Sequence, residues 1–362
     1  MTDESYIKLA LEIAKKGKGK VAPNPLVGAI IVKDDKIIGA GFHEAFGGNH
    51  AEINAIQNAK QSVEGSTLYV NLEPCSHFGK TPPCSEAIIR HKIKRVVIGT
   101  LDMNPLVSGN GIKALKQAGI EVKVGVLENE CVQLNKFFFK HITKQMPYVS
   151  LKIAQTLDGR IADCSGDSKW ITSLYSRRFV HNLRNEYDAV LVGTRTVKID
   201  DPNLTVRFIE GRNPKRIVVD TDLKLNLNLK LFVNNIDGNL ILLTSKQSMS
   251  KERKLKKLRE KGIEVIFVKE NRDGTLNLRQ SLEELGKRGI SSVLVEGGRK
   301  IYTSFVKENL FDDIYVFISP KLMGEGLSSV DNLGIHSIRK SLKLRIKALE
   351  KIGDDILIEL TK

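Results

Sequence analysis

Apolar, strand-like runs alternate with helical stretches along the whole chain, and the series starts afresh once, around Pro147. In the first half, Tyr6, Leu9, Ala10 and Ile13 recur at helical spacing before KGKGK, which predicts an amphipathic N-terminal helix. VGAIIVKDDKIIGAGF reads as a β-hairpin turning on Asp34-Asp35. There follow a helix from His50 to Lys60, the strand TLYVNLEP, a helix from Cys84 to His91, the strand KRVVIGT, the helix GIKALKQAG and the strand IEVKVG. After HITKQMP the run YVSLKIA opens a second series, with strands DAVLVG, KRIVVD, NLILLTS, IEVIFVK, SSVLVE and DDIYVFISP. Its helices are expected at about Ser173 to Tyr187, 250–261, 279–288 and 298–308. Such alternation buries strands between helical layers, so both halves are α/β with mostly parallel sheets. The polar link at 143–147 marks a boundary between domains 1–145 and 146–362. A chain of 362 residues has material for two cores, because single cores stop growing beyond roughly 250–300 residues.

No apolar run approaches the ~20 residues of a membrane span. The start MTDESYIKLALEIAKK is acidic then amphipathic, unlike a secretory signal, so a soluble cytoplasmic protein with no membrane partner is expected. The net charge of +15 points to anionic partners. Its densest run, KERKLKKLREK, spaces Leu255 and Leu258 as a helix with a solvated face, so phosphorylated small molecules are favoured over nucleic acid. Four cysteines are too few for a disulfide framework in so long a chain and are read as thiols.

Chemistry is concentrated first in His50-Ala51-Glu52, then Pro74-Cys75 and, eight residues on, Cys84. One imidazole and two thiolates suit a tetrahedral Zn²⁺ whose fourth position stays open, the arrangement of a catalytic site. Such an ion lowers the pKa of water towards ~7. Glu52 would move the protons, on one condition. Residues two apart in a regular helix point about 200° apart, so His50 and Glu52 converge only where the helix begins. Cys84 follows Pro82-Pro83 at another expected helix start, where the helix dipole favours a thiolate. A buried histidine with inert thiols, or a closed structural zinc, would leave Glu52 without a use. Cys131 and Cys164 lack comparable neighbours and are read as ordinary buried thiols.

PNPLVGAIIV, HAEINAI and EPCSHFGKTPPCSEAII, in that order, resemble the deaminase domain of the bifunctional riboflavin-biosynthesis deaminase/reductase family. The long insert between the cysteines, in place of the C-x-x-C of nucleic-acid deaminases, fits that family. The resemblance implies a cytidine-deaminase-like three-layer domain. It also implies zinc ligands His50, Cys75 and Cys84, proton transfer by Glu52, a pyrimidine contact from Asn24, and His77 and Lys80 near a substrate phosphate.

The second half carries weaker signals. Glu296-Gly297-Gly298 ends a strand and enters a helix, where backbone N–H groups can approach a phosphate, but this is no G-x-G-x-x-G fingerprint. Polar residues crowd expected strand ends: Lys152, Asp158, Arg160, Ser168, Arg184, Thr196, Asp200, Asp201 and Arg207. Asp201 before Pro202 also suits a turn, and Trp170 also suits a core. The pattern resembles the reductase domain of the same family, which is dihydrofolate-reductase-like, and the resemblance spans essentially the whole chain. By that resemblance, Ala154, Trp170, Thr196, Asp200 and Gly298 to Ser304 (Gly298, Arg299, Lys300, Ile301, Tyr302, Thr303, Ser304) meet NADPH. Ser168, Arg184, Leu204, Arg207 and Glu296 meet the substrate, with Lys152 and Asp200 orienting or protonating its ribose. The expectation is a zinc- and NADPH-dependent bifunctional enzyme acting on a phosphorylated pyrimidine ribotide, as a homo-oligomer. A nucleic-acid base deaminase with a basic accessory domain and a non-catalytic zinc scaffold are the rivals.

Overall fold

In a computed structural model, which describes residues 1–76, 82–104 and 108–362, the chain divides into two compact units, Met1–Gln145 and Met146–Lys362.

The first unit runs α1 (Asp3–Ala14), β1 (Gly28–Lys33), β2 (Lys36–Phe42), α2 (Ala51–Gln57), β3 (Thr67–Leu72), α3 (Cys84–Arg90), β4 (Arg95–Thr100), α4 (Asn110–Gln117), β5 (Glu121–Val124), α5 (Glu128–Leu134) and α6 (Lys136–Lys144). Its sheet has the order β2-β1-β3-β4-β5. Only β3, β4 and β5 are mutually parallel; β1 pairs antiparallel with both β2 and β3, which corrects the expected mostly parallel sheet. The hairpin is the cause. Asp34 and Asp35 both take positive φ, the backbone of a tight turn matched to strand twist, and a tight turn can join only antiparallel neighbours. Alternate side chains leave opposite faces of a strand, so Ala29 and Ile31 pack in one core cluster while Ile30 and Val32 pack in another. Covered on both faces, the sheet is the middle of three layers. Cys131 is buried as expected, in the second cluster against Gly99, where an added Cβ would stand 2.3 Å from its sulfur, whereas Cys164, expected to be buried, is exposed.

The second unit runs β6 (Tyr148–Thr156), β7 (Arg160–Ala162), α7 (Leu174–Glu186), β8 (Ala189–Gly193), α8 (Thr194–Asp200), β9 (Lys215–Val219), α9 (Lys230–Val233), β10 (Leu240–Ser245), α10 (Glu252–Glu260) and β11 (Glu264–Val268). It continues with α11 (Leu278–Lys287), β12 (Ser292–Gly297), α12 (Arg299–Lys307), β13 (Asp313–Ser319), β14 (Leu327–Ser328), β15 (Arg345–Ile352) and β16 (Asp355–Thr361). A nine-stranded sheet has the order β11-β10-β9-β8-β12-β6-β13-β16-β15. Its first seven strands are parallel, and the β15–β16 hairpin adds antiparallel to β13. The central strands are apolar on both faces, as parallel strands between helices must be. Strand β12 sits between β8 and β6, which puts the carboxyl ends of three non-consecutive strands side by side, the usual place for a ligand crevice. On α10 only Leu255 and Leu258 are buried, so the basic run is the solvated face its spacing implied. No helix among the described residues is long and apolar enough to cross a membrane.

Candidate active sites in the two units

His50 caps α2 from outside the helix with extended backbone (φ −73°, ψ 162°), and Glu52 lies in the first turn. The condition for their convergence is therefore met: His50 is not yet held in helical direction. Cys75 follows β3, and Cys84 is the first residue of α3 behind Pro83. The ligand atoms of His50, Cys75 and Cys84 all lie within 4.8 Å of one another. His50 Nδ1 stands 3.2 Å from the Cys84 sulfur and 3.5 Å from that of Cys75. The Cys84 backbone N–H donates to the Cys75 sulfur at 3.3 Å.

Three soft or borderline donors that converge in this way fit a Zn²⁺ ion held by three protein ligands. The protons agree. Hydrogen bonding from Cys84 and then from His50 lowers the Cys75 thiol to about 4, while the Cys84 thiol, sharing its proton with Cys75, is driven up. The pair thus retains a proton that metal binding must expel. Glu52 is 3% exposed, and burial pushes its carboxyl up to about 7, where a group can both take and release a proton near neutrality.

Two further residues build this site without having stood out in the sequence. His43 is buried, donates from Nδ1 to the Asn49 carbonyl at 2.9 Å, and so presents Nε2 as acceptor to the Asn24 amide nitrogen at 3.1 Å. That bond turns the Asn24 carbonyl oxygen free as an acceptor. Glu73, two residues before Cys75, accepts backbone N–H groups from Asp102, Gly109, Gly111 and Ile112 at 3.0–3.3 Å. Its buried carboxylate therefore ties the start of α4 to the strand that delivers a metal ligand. His77 and Lys80 lie outside the described residues.

The second unit contains a cavity of about 1010 Å³ at the carboxyl ends of its parallel strands. It is lined by Lys152, Ala154, Ser168, Trp170, Arg184, Thr196, Asp200, Leu204, Arg207, Glu296, Gly298, Arg299, Lys300, Ile301, Tyr302 and Ser304. Of the residues singled out in this half, Asp158, Arg160, Gly297 and Thr303 are not in the lining: Asp158 accepts the Met323 and Gly324 N–H groups, Arg160 donates to the Gly324 carbonyl, and the Thr303 hydroxyl donates to the Arg299 carbonyl and accepts the Asp331 N–H. Trp170 is 62% exposed beneath the Arg177 guanidinium, so it is not core. Tyr302 is buried, and its hydroxyl donates to the Lys152 carbonyl.

Two polar clusters divide the cavity. In one, Arg184 Nε and Nη2 donate to Glu296 at 2.6 and 2.8 Å, and its Nη1 donates to the Thr205 carbonyl at 3.0 Å. Despite burial, the Arg184 charge holds Glu296 down at about 2. Lys152 faces this pair; burial lowers its pKa and Glu296 opposes the shift. In the other cluster Asp200, raised by burial, stands with Lys169 and Ser168. Lys152 and Asp200, expected to share one duty, are thus held in different clusters. An NADPH molecule fits this cavity by its donor set: the start of α12 turns N–H groups outward just after Gly297-Gly298, and a Cβ at Gly298 would stand 3.2 Å from the Thr196 hydroxyl.

Residues 147–358 match the family described as RibD C-terminal domain, and residues 1–100 match the cytidine and deoxycytidylate deaminase zinc-binding region. The chain is 51% identical over 357 residues to the riboflavin biosynthesis protein RibD of Aquifex aeolicus, covering 98% of this chain and 97% of that one. The chain belongs to the RibD family. The Escherichia coli RibD protein is 36% identical over 374 residues, with 99% of each chain covered. A solved structure from Thermotoga maritima, described as a diaminohydroxyphosphoribosylaminopyrimidine deaminase/5-amino-6-(5-phosphoribosylamino)uracil reductase, superposes with a TM-score of 0.88 at 42% identity. It covers 99% of this chain and 98% of its own. As a RibD family member, the chain is a bifunctional enzyme of riboflavin biosynthesis, with a zinc-dependent deaminase half and an NADPH-dependent reductase half.

Proposed function

We propose that the chain deaminates 2,5-diamino-6-(5-phosphoribosylamino)pyrimidin-4(3H)-one and then reduces the ribosyl group of the product to ribityl. The observation that carries the first step is the buried Glu52 beside the His50–Cys75–Cys84 donor set, with Cys84 in hydrogen-bond contact. Zinc bound there supplies an activated water at neutral pH. Glu52 is placed to take a proton from the water that would add to the amino-bearing C2 and to return one to the departing nitrogen, which leaves as ammonia. Asn24, its amide oriented by His43, accepts a ring N–H.

In the reductase cavity, NADPH supplies a hydride to C1 of the sugar. The cofactor-facing set is Ala154, Trp170, Thr196, Asp200 and the first turns of α12. Lys152, with its depressed pKa, is suited to give the proton that the ring oxygen takes as the sugar opens. Arg207 is exposed in the cavity wall and meets the substrate phosphate, while Arg184, its fork engaged by Glu296, reinforces that charge from behind. Ser168 and Leu204 complete the substrate side.

The test compares ammonia release from the free ribotide with release from cytosine- and adenine-bearing RNA and single-stranded DNA. Turnover of the ribotide alone, little affected by salt, is expected. Preference for the polymers, with steep salt dependence, would instead establish a nucleic-acid deaminase.

A cytoplasmic setting accords with the unpaired state of all four cysteines. A homo-oligomer accords with edge strand β15, where Ile346 and Leu349 are exposed beside Ile356 of β16. Light scattering should accordingly give a mass that is a multiple of the 40.3 kDa chain; the monomer mass at micromolar concentration would contradict it.

A further inference from the structure

Helix α7 carries His181 and Arg184 three residues apart, on one face. Arg184 has its place in the Glu296 pair; His181 has no part in the function so far described. The ring is 3% exposed, packs on Phe208 at 4.6 Å between centroids, and lines the reductase cavity. Its Nδ1 accepts the backbone N–H of Arg207 at 2.9 Å. An N–H aimed at Nδ1 requires a lone pair there, so the ring is neutral with its hydrogen on Nε2.

The segment that needs this anchor is irregular. Leu204 sits at φ 53°, a conformation L-residues seldom adopt, and no strand or helix holds the residues after it. Instead three successive residues are tied by side chains: Arg184 holds the Thr205 carbonyl, Asn213 accepts the Val206 N–H at 2.9 Å, and His181 accepts the Arg207 N–H. Two of the three ties come from α7, the helix that also supplies the charge behind the site.

We propose that His181 is a positioning residue of the reductase, fixing the Arg207 backbone so that the Arg207 guanidinium faces the substrate phosphate. This deepens the assignment of Arg207 and rests on it. Charged neighbours keep the acceptor in place: burial, Arg184 on the same helix and Arg207 on the loop lower the His181 pKa to about 4, with Lys152 of β6 acting the same way and Glu296 of β12 opposing. Acid that protonates Nδ1 replaces an acceptor with a donor facing a donor, and the loop is released.

The experiment uses the full-length enzyme and exploits amide geometry. His181→Asn places an oxygen where Nδ1 stood; His181→Gln reaches the position of Nε2 and supplies no acceptor at Nδ1. Reductase KM and kcat are measured for the deaminated phosphoribosyl compound and for its dephosphorylated ribosyl analogue, with NADPH affinity reporting an intact unit and Arg207→Gln assayed in parallel. The expected result is a KM raised about tenfold for His181→Gln with kcat little changed, recovered within about threefold by His181→Asn. Neither variant should shift the KM of the dephosphorylated analogue. Equal KM values for Asn and Gln, or a rise that persists without the phosphate, would overturn the role of His181 while a raised KM in Arg207→Gln left Arg207 in place. An unchanged KM in Arg207→Gln would overturn the Arg207 assignment itself. If His181→Gln fails to bind NADPH, the pH profile decides: 1/KM should fall more steeply towards pH 4 in wild type than in His181→Asn, and identical profiles would refute the proposal.

Discussion

Glu52→Gln will lose about 10²–10⁴-fold in deamination while zinc content and ribosyl reduction stay as they were. The substitution changes one atom in a side chain that is 3% exposed, so volume and packing are preserved. What disappears is the ability to take up and release a proton at a carboxyl that burial holds near neutrality. The metal donors are His50, Cys75 and Cys84, none of which is altered, and the reductase cavity belongs to the other unit. Ammonia release from the diaminopyrimidinone ribotide, metal analysis, and NADPH oxidation with the deaminated compound supplied directly separate these three quantities. Wild-type deamination by this variant would remove Glu52 from the mechanism, and loss of zinc with activity would make it a structural support.

Glu296→Gln will destabilise the second unit by about 3 kcal/mol and abolish ribosyl reduction, with deamination spared. The Arg184 and Glu296 side chains are 11% and 7% exposed, so removing one charge leaves the other buried without its partner. Lys152 loses its counter-charge at the same time, which makes the site repel itself. The same pair predicts a pH dependence. The folded Glu296 pKa is lowered to about 2, against about 4.3 for an unperturbed glutamate. Its stabilisation is therefore complete above the unfolded value and is lost as pH falls from about 5 towards 2. Thermal unfolding of wild type and variant across that range should converge at the acid end; parallel curves would show that the pair adds no linkage.

The two sites were legible to very different degrees, for physical reasons. The metal centre could be read because its ligands sit at helix starts: the phase of α2 required His50 to lie outside the helix if Glu52 was to join it, and Pro82-Pro83 announced the start that carries Cys84. Glu73 and His43 stayed hidden, since one is recognised only by four backbone N–H groups from a loop some thirty residues on, and the other by an asparagine on a different segment. In the second unit the decisive pair, Arg184 and Glu296, is 112 residues apart, and nothing local marks either as the other's partner. His181 reads as core on an amphipathic helix until its Nδ1 is seen to hold the Arg207 backbone. The strand–helix alternation gave most elements, but α5 and α6 lie between the strand IEVKVG and the link at 143–147, where no element was expected, and α8 is a short helix without a clear apolar stripe. The β15–β16 hairpin was missed because the apolar residues of its outer strand are exposed and lack the alternation of a half-buried strand. The β1–β2 hairpin was legible at Asp34-Asp35, but the antiparallel pairing of β1 with β3 was not, because alternation alone does not say which strands become neighbours.

The most direct test incubates the zinc-loaded protein with the diaminopyrimidinone ribose phosphate, with and without NADPH, following ammonia, nicotinamide absorbance and product mass together. Ammonia in both reactions, with NADPH oxidation and a product two mass units heavier only where NADPH is present, is the predicted result. Absence of ammonia from folded, zinc-containing protein, or deamination never followed by reduction, would contradict the account.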